Sequence, residues 1–242
     1  MGTADASGPE PVPSGPVLVA CGHGTRDPAG RRVLAELRLD VARARPGVEV
    51  VAASVDVQMP RLPDVVARLS AEGRESVIVP LLLSAGYHVR VDVAGAVATS
   101  GGLATAGAAL GPDPVLVHVL LDRLLEAGAA PDALVVLAAA GSSDSRAVAD
   151  VEQVAADLAA RRGSPVLPAF LSAASPGVAE AVDRLRAARP GAGQVVVATY
   201  LLAPGDFSRR LAGAGADLVT APLAPHPLLA ELVLRRYDEA LA

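Results

Sequence analysis

Lysine and tryptophan are absent from this chain of 242 residues, and cysteine occurs once, as Cys21. A single cysteine excludes an internal disulfide and any cysteine-ligated iron–sulfur cluster or zinc site, which makes the cytoplasm the expected compartment. Aromatic residues amount to 2% and the formal net charge is −5, so neither base stacking nor attraction to a phosphate backbone operates over a broad surface. Nucleic acid is not an expected partner. Apolar runs are broken by charge, Gly or Pro well short of the roughly 18 residues a membrane span needs, so no membrane partner is expected either. Residues 1–15 lack the basic segment and apolar run of a secretory signal and read as a disordered, uncleaved tail. All 21 basic residues are Arg, a bias given little functional weight. What remains is rich in core-forming material: 52% of residues are hydrophobic against 19% charged, so the chain folds, and its length favours two modest halves.

The halves are visible as a tandem repeat. The stretch Val17 to Asp27 lies over Val135 to Asp144, with His23 facing Ala140, 117 positions on. Pro60 to Leu69 lies over Pro176 to Leu185, Leu82 to His88 over Leu201 to Phe207, and Pro112-Asp113-Pro114 over Pro225-His226-Pro227. Within each half, short apolar runs alternate with segments of helical period. Strands are expected near 16–21, 48–56, 76–83 and 103–109, and again near 133–139, 165–171, 194–202 and 217–223. In 31–45, Val33, Leu34, Leu37 and Val41 recur at helical steps before Pro46-Gly47 stops them. Asp92 is expected to cap the next helix, which Gly101-Gly102 ends, and Pro114 to start the last helix of the half. Strands separated by helices imply right-handed βαβ units and a mainly parallel sheet. The expected fold is therefore α/β, with two similar four-stranded lobes at 16–127 and 131–242, joined at Gly128-Ala129-Ala130-Pro131, and a ligand cleft between them. The repeat supplies its own pairing, so a monomer is expected.

His23 ends the first strand, Asp56 closes the second and His88 follows the third, which gathers them at the carboxyl edge of one sheet. Two imidazoles and a carboxylate suit Fe(II), Co(II), Ni(II) or Zn(II) and leave coordination positions open. The second half is an internal control: Ala140, Ser172 and Phe207 stand where the first has His23, Asp56 and His88. Histidines serving only as caps or packing would be wanted in both halves. Chemistry is the better reading, confined to the first lobe, with the second a degenerate repeat.

The blocks Gly22 to Pro28, Pro80 to Asp92 and Leu110-Gly111-Pro112 resemble the signature blocks of the sirohydrochlorin chelatases, small enzymes that insert Fe(II) or Co(II) into sirohydrochlorin for sirohaem or cobalamin synthesis. The resemblance runs from Pro16 onward. It implies a two-lobed chelatase fold, a cleft for the tetrapyrrole, and His23 and His88 as metal-handling residues. Two departures stand out: Asp56 occupies a place where the family usually has Glu, and Asp113 one where it often has His.

Metal insertion requires two pyrrole protons to leave and an aquo-ion to shed water at one face of a flat ring. Neutral imidazoles can deliver the ion, and imidazole, with an ordinary pKa of about 6.5, or Asp56 can accept protons. No organic cofactor is needed, and the divalent metal is itself a substrate, Fe(II) ahead of Co(II). Sirohydrochlorin carries eight carboxylates, so Arg26, Arg61 and Arg90 are candidates for its rim. Ser84, Ala85 and Gly86 would let backbone approach the ring, and Phe207 would pack against it. The competing reading is a carrier that binds metal or tetrapyrrole without turnover. Cys21 reads as buried filler, His118 as a surface or interlobe residue, and His226 as part of a helix start.

Overall fold

A computed structural model describes residues 15–242 except 85, 190 and 192, and gives Tyr87, His88 and Val89 by backbone alone. Ala85, and the tail ahead of Gly15, lie outside the described residues. The first half runs β1 (Val17–Gly22), α1 (Pro28–Ala44), β2 (Val50–Ser54), α2 (Leu62–Ala71), β3 (Ser76–Pro80), α3 (Tyr87–Ala98), β4 (Ala104–Ala106), α4 (Pro114–Glu126). The second repeats it as β5 (Leu134–Ala139), α5 (Ser145–Arg162), β6 (Val166–Phe170), α6 (Val178–Ala188), β7 (Val195–Tyr200), α7 (Asp206–Leu211), β8 (Leu218–Val219), α8 (Pro227–Glu239). Each half forms a four-stranded parallel sheet, in the orders β2-β1-β3-β4 and β6-β5-β7-β8. The α/β two-lobed expectation is met. The order places a switch point between β1 and β3, and another between β5 and β7, where successive crossovers run to opposite sides.

Local physics accounts for the elements. Central strands β1, β3 and β7 are buried along their whole length, and β5 from Val135 on; they consist of Val, Ile, Leu, Ala and a few small or polar residues. The Asp27 carboxylate caps α1 by accepting from the Ala29 and Gly30 amides, and Asp144 caps α5 through Arg146 N. Gly163, at φ 68°, closes α5 in the left-handed conformation. Prolines 60, 112, 176 and 225 follow cis peptide bonds.

Three expectations need correction. Asp92 is no cap: α3 begins at Tyr87 with Gly86 as its N-cap, six residues earlier than the carboxylate suggests. The expected strand 48–56 ends at Ser54, so Asp56 sits in a loop, where Val57 adopts φ 47° and Asp56 Oδ1 accepts from Val57 N. The strands expected at 103–109 and 217–223 shrink to three and two residues, because an edge strand has one pairing partner and its apolar run continues as loop.

The boundary in sequence is not a boundary in space. Helix α4 packs against α5 and β7 of the second half, while α8 packs against α1 and β3 of the first, so the halves exchange their last helices. One buried cluster consequently runs through both sheets, joining Leu18, Leu37 and Val77 to Leu120, Val135 and Val233. Separate clusters lie on the far faces, under α2 and α3 and under α6 and α7.

Matched arginines fasten the exchange. From α8, Arg236 donates to the carbonyls of Ala109 (2.9 Å) and Leu110 (3.3 Å) and to Asp113 Oδ2 (2.8 Å). From α4, Arg123 donates to the Leu223 carbonyl (2.9 Å) and to that of Pro225. Asp113 is 7% exposed at its side chain, caps α4 through Val115 N, and also receives Arg235. Its counterpart His226 caps α8 through Leu228 N and meets Asp122 at 3.2 Å, which agrees with its reading as a helix-start residue. Arg236→Ala leaves the Ala109 and Leu110 carbonyls without this donor and Asp113 with Arg235 as its remaining arginine, and is expected to cost about 1–3 kcal/mol. Urea denaturation followed by circular dichroism measures it.

Candidate functional site

The site begins at the end of β1. Gly22 closes that strand, and the chain leaves the sheet through His23 and Gly24 at the switch point beside β3. Gly24 has φ 99°, and a Cβ there would lie 1.9 Å from the carbonyl oxygen of Asp56. His23 O accepts from Asp56 N at 2.9 Å, Thr25 N donates to Gln58 Oε1 at 3.2 Å, and Asp27 N to Thr25 Oγ1 at 3.1 Å. The loop is thus held from the β2 side and from the cap of α1, and it carries the exposed His23 ring.

That ring lines a cavity of about 780 Å³ formed at the carboxyl ends of four strands, two from each sheet. From the first half come His23 to Arg26, Leu81 to Ser84 and Gly86; from the second come Ala139 to Ser143 and Tyr200 to Ser208. The volume falls in the range of small-molecule and cofactor sites. The lining from the second half includes the apolar Ala140, Leu201, Leu202 and Phe207 beside the polar Ser142, Ser143, Asp206 and Ser208. Arg210 lies over the Phe207 ring at 5.5 Å from its centroid.

Of the residues singled out from sequence, His23, Arg26, Ser84, Gly86 and Phe207 line this cavity. Asp56 and Arg61 are not among its lining residues. The Asp56 carboxylate is exposed, accepts from Val57 N at 2.7 Å and faces Arg61 at 3.5 Å. Its backbone is beside His23, but its charge is directed elsewhere. His88 is the second residue of α3, as Phe207 is the second residue of α7, and both follow glycine N-caps, Gly86 and Gly205. The His88 side chain lies outside what is described. Arg90 follows on α3, exposed and absent from the cavity lining. Cys21 is fully buried in β1, and burial together with Asp92 pushes its thiol up to about 12, consistent with inert packing. His118 is exposed on α4.

Sequence reasoning missed Tyr200. It ends β7, is 2% exposed, and its hydroxyl donates to the Leu83 carbonyl at 3.0 Å, tying the β7 end to the loop after β3 across the cavity floor. Burial raises its phenol well above the usual range. The available signal was that its counterpart in the first half is Leu81, an asymmetry of the same kind as His23 and Ala140.

The CbiX family model matches this chain twice, over residues 17–127 and 134–240. The chain belongs to the CbiX family. Its two family repeats coincide with the two sheets. Among solved structures, this CbiX-family chain resembles SirB from Bacillus subtilis with Fe3+, at TM-score 0.77 and 21% identity over 95% of this chain and 96% of that one. It also resembles the sirohydrochlorin chelatase SirB from Bacillus subtilis subspecies spizizenii in complex with cobalt, at TM-score 0.74 and 20% identity, covering 94% and 95%. A sirohydrochlorin cobaltochelatase of Methanococcoides burtonii is 27% identical over 77 residues, which are 31% of this chain and 59% of that protein. Among the described residues, no helix is long and apolar enough to cross a membrane.

Proposed function

We propose that this protein is a sirohydrochlorin chelatase, inserting Fe(II), with Co(II) as the close second, into the macrocycle. The observation that carries the proposal is the exposed His23 at a strand switch point, lining a cavity of about 780 Å³ that the apolar Leu201, Leu202 and Phe207 of the second half also line. The family, and the metal-bearing SirB structures of the same fold, support it. Imidazole ligates both ions, so the donor set does not favour either strongly.

In this reading the tetrapyrrole lies against Leu202 and Phe207, with its open face toward His23. A neutral imidazole at His23, joined by His88 from the first turn of α3, receives the ion and presents it to the ring. As the metal–nitrogen bonds form, two pyrrole N–H protons leave, so one divalent ion and the free macrocycle yield the neutral metal core and two protons. The same imidazoles accept those protons once the ion has moved on. Arg26 and Arg90 meet carboxylates of the rim, while Ser84 and Gly86 keep the edge after β3 low. Asp56, paired with Arg61, acts through the His23 loop and not on the reacting atoms. The chemistry belongs to the first half of the chain, and the second half supplies the wall. The monomer is complete in this respect, and the cytoplasm, where a lone thiol stays reduced, is the proposed compartment.

The test is anaerobic incubation of the protein with sirohydrochlorin and Fe(II) or Co(II), following the visible spectrum. Metallated product beyond one equivalent per chain supports the proposal. Tight binding of sirohydrochlorin without accelerated metallation makes the protein a carrier, and no binding overturns the reading.

A further inference from the structure

Two arginines stand at matching places on α3 and α7, neither of them among the residues lining the cavity. Arg90 is the fourth residue of α3 and Arg209 the fourth of α7. Each helix approaches the N-terminus of the other half's first helix, where Asp27 caps α1 and Asp144 caps α5. These aspartates are also matched, and both are nearly buried, with side chains 8% and 9% exposed. A carboxylate so placed needs a cationic partner.

The two sides meet that need differently. Asp27 is claimed across the interface: Arg209 reaches it from α7 while also holding Asp206 of its own helix. The halves are pressed together there, since a Cβ on Gly30 would lie 2.4 Å from the Pro204 carbonyl. Asp144 is instead satisfied within its own helix turn. Arg146 donates to it from Nε and Nη2, both at 3.0 Å, and from its backbone N at 3.1 Å. Helix α3 still comes close, with a Cβ on Gly86 lying 3.6 Å from Ser142 Oγ. Hydrogen bonds from Arg146 hold the Asp144 carboxyl below its usual range, with a smaller contribution from the nearby charge of Arg90. Among the described residues, the Arg90 guanidinium makes no hydrogen bond or ion pair. The residue matching Arg146 in the first half is Ala29, so Asp27 has no such neighbour and takes the distant arginine.

We infer that Arg146 is a positioning residue: by occupying Asp144 it leaves Arg90 available, at the α3–α5 edge of the cavity, for a carboxylate of the substrate. On this account the α1–α7 edge is fastened and the α3–α5 edge is the one through which an anionic macrocycle is received. The inference rests on the proposed tetrapyrrole substrate. It follows from a competition for one carboxylate: without Arg146, Asp144 faces Arg90 as Asp27 faces Arg209, and Arg90 is captured.

Sirohydrochlorin titrated into the full chain, by its visible absorbance and without metal, tests this apart from turnover. Arg146→Ala and Arg146→Gln are expected to weaken binding about tenfold, as does Arg90→Ala, the loss of one exposed charge-assisted contact. Under turnover the effect should fall on KM and not on kcat. Adding Asp144→Asn to Arg146→Ala removes the competing charge and should restore affinity to near that of the parent, and Arg146→Ala should add nothing in an Arg90→Ala background. A parent protein that binds while Arg146→Ala binds equally well overturns the assignment alone. Failure of Asp144→Asn to restore binding overturns it too, because the loss would then be structural. A parent that does not bind sirohydrochlorin overturns the proposed function and this inference with it.

Discussion

Replacing His23 by alanine is expected to slow metal insertion about 100-fold or more, the scale on which positioned acid–base groups act, while leaving the fold unchanged. The internal repeat supplies the control. Ala140 occupies the matched position after β5, and the loop around it has the same construction: Leu171 N donates to Ala139 O as Val55 N donates to Gly22 O. An alanine after this strand is therefore compatible with the scaffold, and the His23 ring makes no hydrogen bond among the described residues whose loss would unfold the loop. His88→Ala is expected to have an effect of similar size, since Phe207 shows that an apolar residue is accommodated second in the matched helix. Asp56→Ala should cost much less, because its carboxylate faces Arg61 and solvent. Initial rates with sirohydrochlorin and Fe(II) or Co(II) under anaerobic conditions, with circular dichroism alongside, provide the check. Near-parental rates in the double His23→Ala, His88→Ala protein would sink the assignment of the chemistry to the first half.

The second large effect concerns glycines and separates stability from activity. Gly24→Ala places a Cβ 1.9 Å from Asp56 O at φ 99°; Gly141→Ala places one 1.8 Å from Ser172 O at φ 89°. Each combines an unfavourable left-handed backbone with a collision against another loop's carbonyl. Both are expected to destabilise by about 2–4 kcal/mol, and by nearly equal amounts. Their effects on rate should differ. Relieving the first collision pushes the His23 loop away from the loop after β2, and a displacement of about 1 Å at a reacting group costs on the order of 100-fold. The second moves Ala140, which has nothing to deliver, so the rate should change only a few-fold. Paired denaturation and rate measurements on the two variants decide it; equal losses of rate would mean that both halves carry the chemistry.

Much of this molecule was legible in the linear chain. Alternation of short apolar runs with helical period, and four blocks recurring in one order, were enough for two parallel α/β lobes, because strand and helix periods are local properties. The difference between His23 and Ala140 was legible for the same reason: an internal repeat compares two residues in one scaffold. Strand ends were less so. Asp56 read as closing a strand because the apolar run continues past Ser54, whereas the paired register stops at Gly22 and Ser54, and past it only the Val55 and Asp56 amides still reach the Gly22 and His23 carbonyls before Val57 turns the chain. Asp92 read as a cap because a carboxylate near a helix start usually is one, and here Gly86 begins the helix first.

The sequence by itself determined the fold class, the repeat, and the placing of a histidine at the end of the first strand. The tertiary structure alone decided which partner each charged group takes. Asp56 turned to Arg61, Asp113 was claimed by the exchanged helix α8, and Tyr200 reached Leu83 across the cavity floor. Asp27 went to Arg209 and Asp144 to Arg146, although the two aspartates occupy matched positions. The reason is physical. Periodicity and capping act over three to five residues and are written in order along the chain. Long-range pairing instead satisfies buried charge and hydrogen-bonding groups with whatever the assembled halves bring within reach.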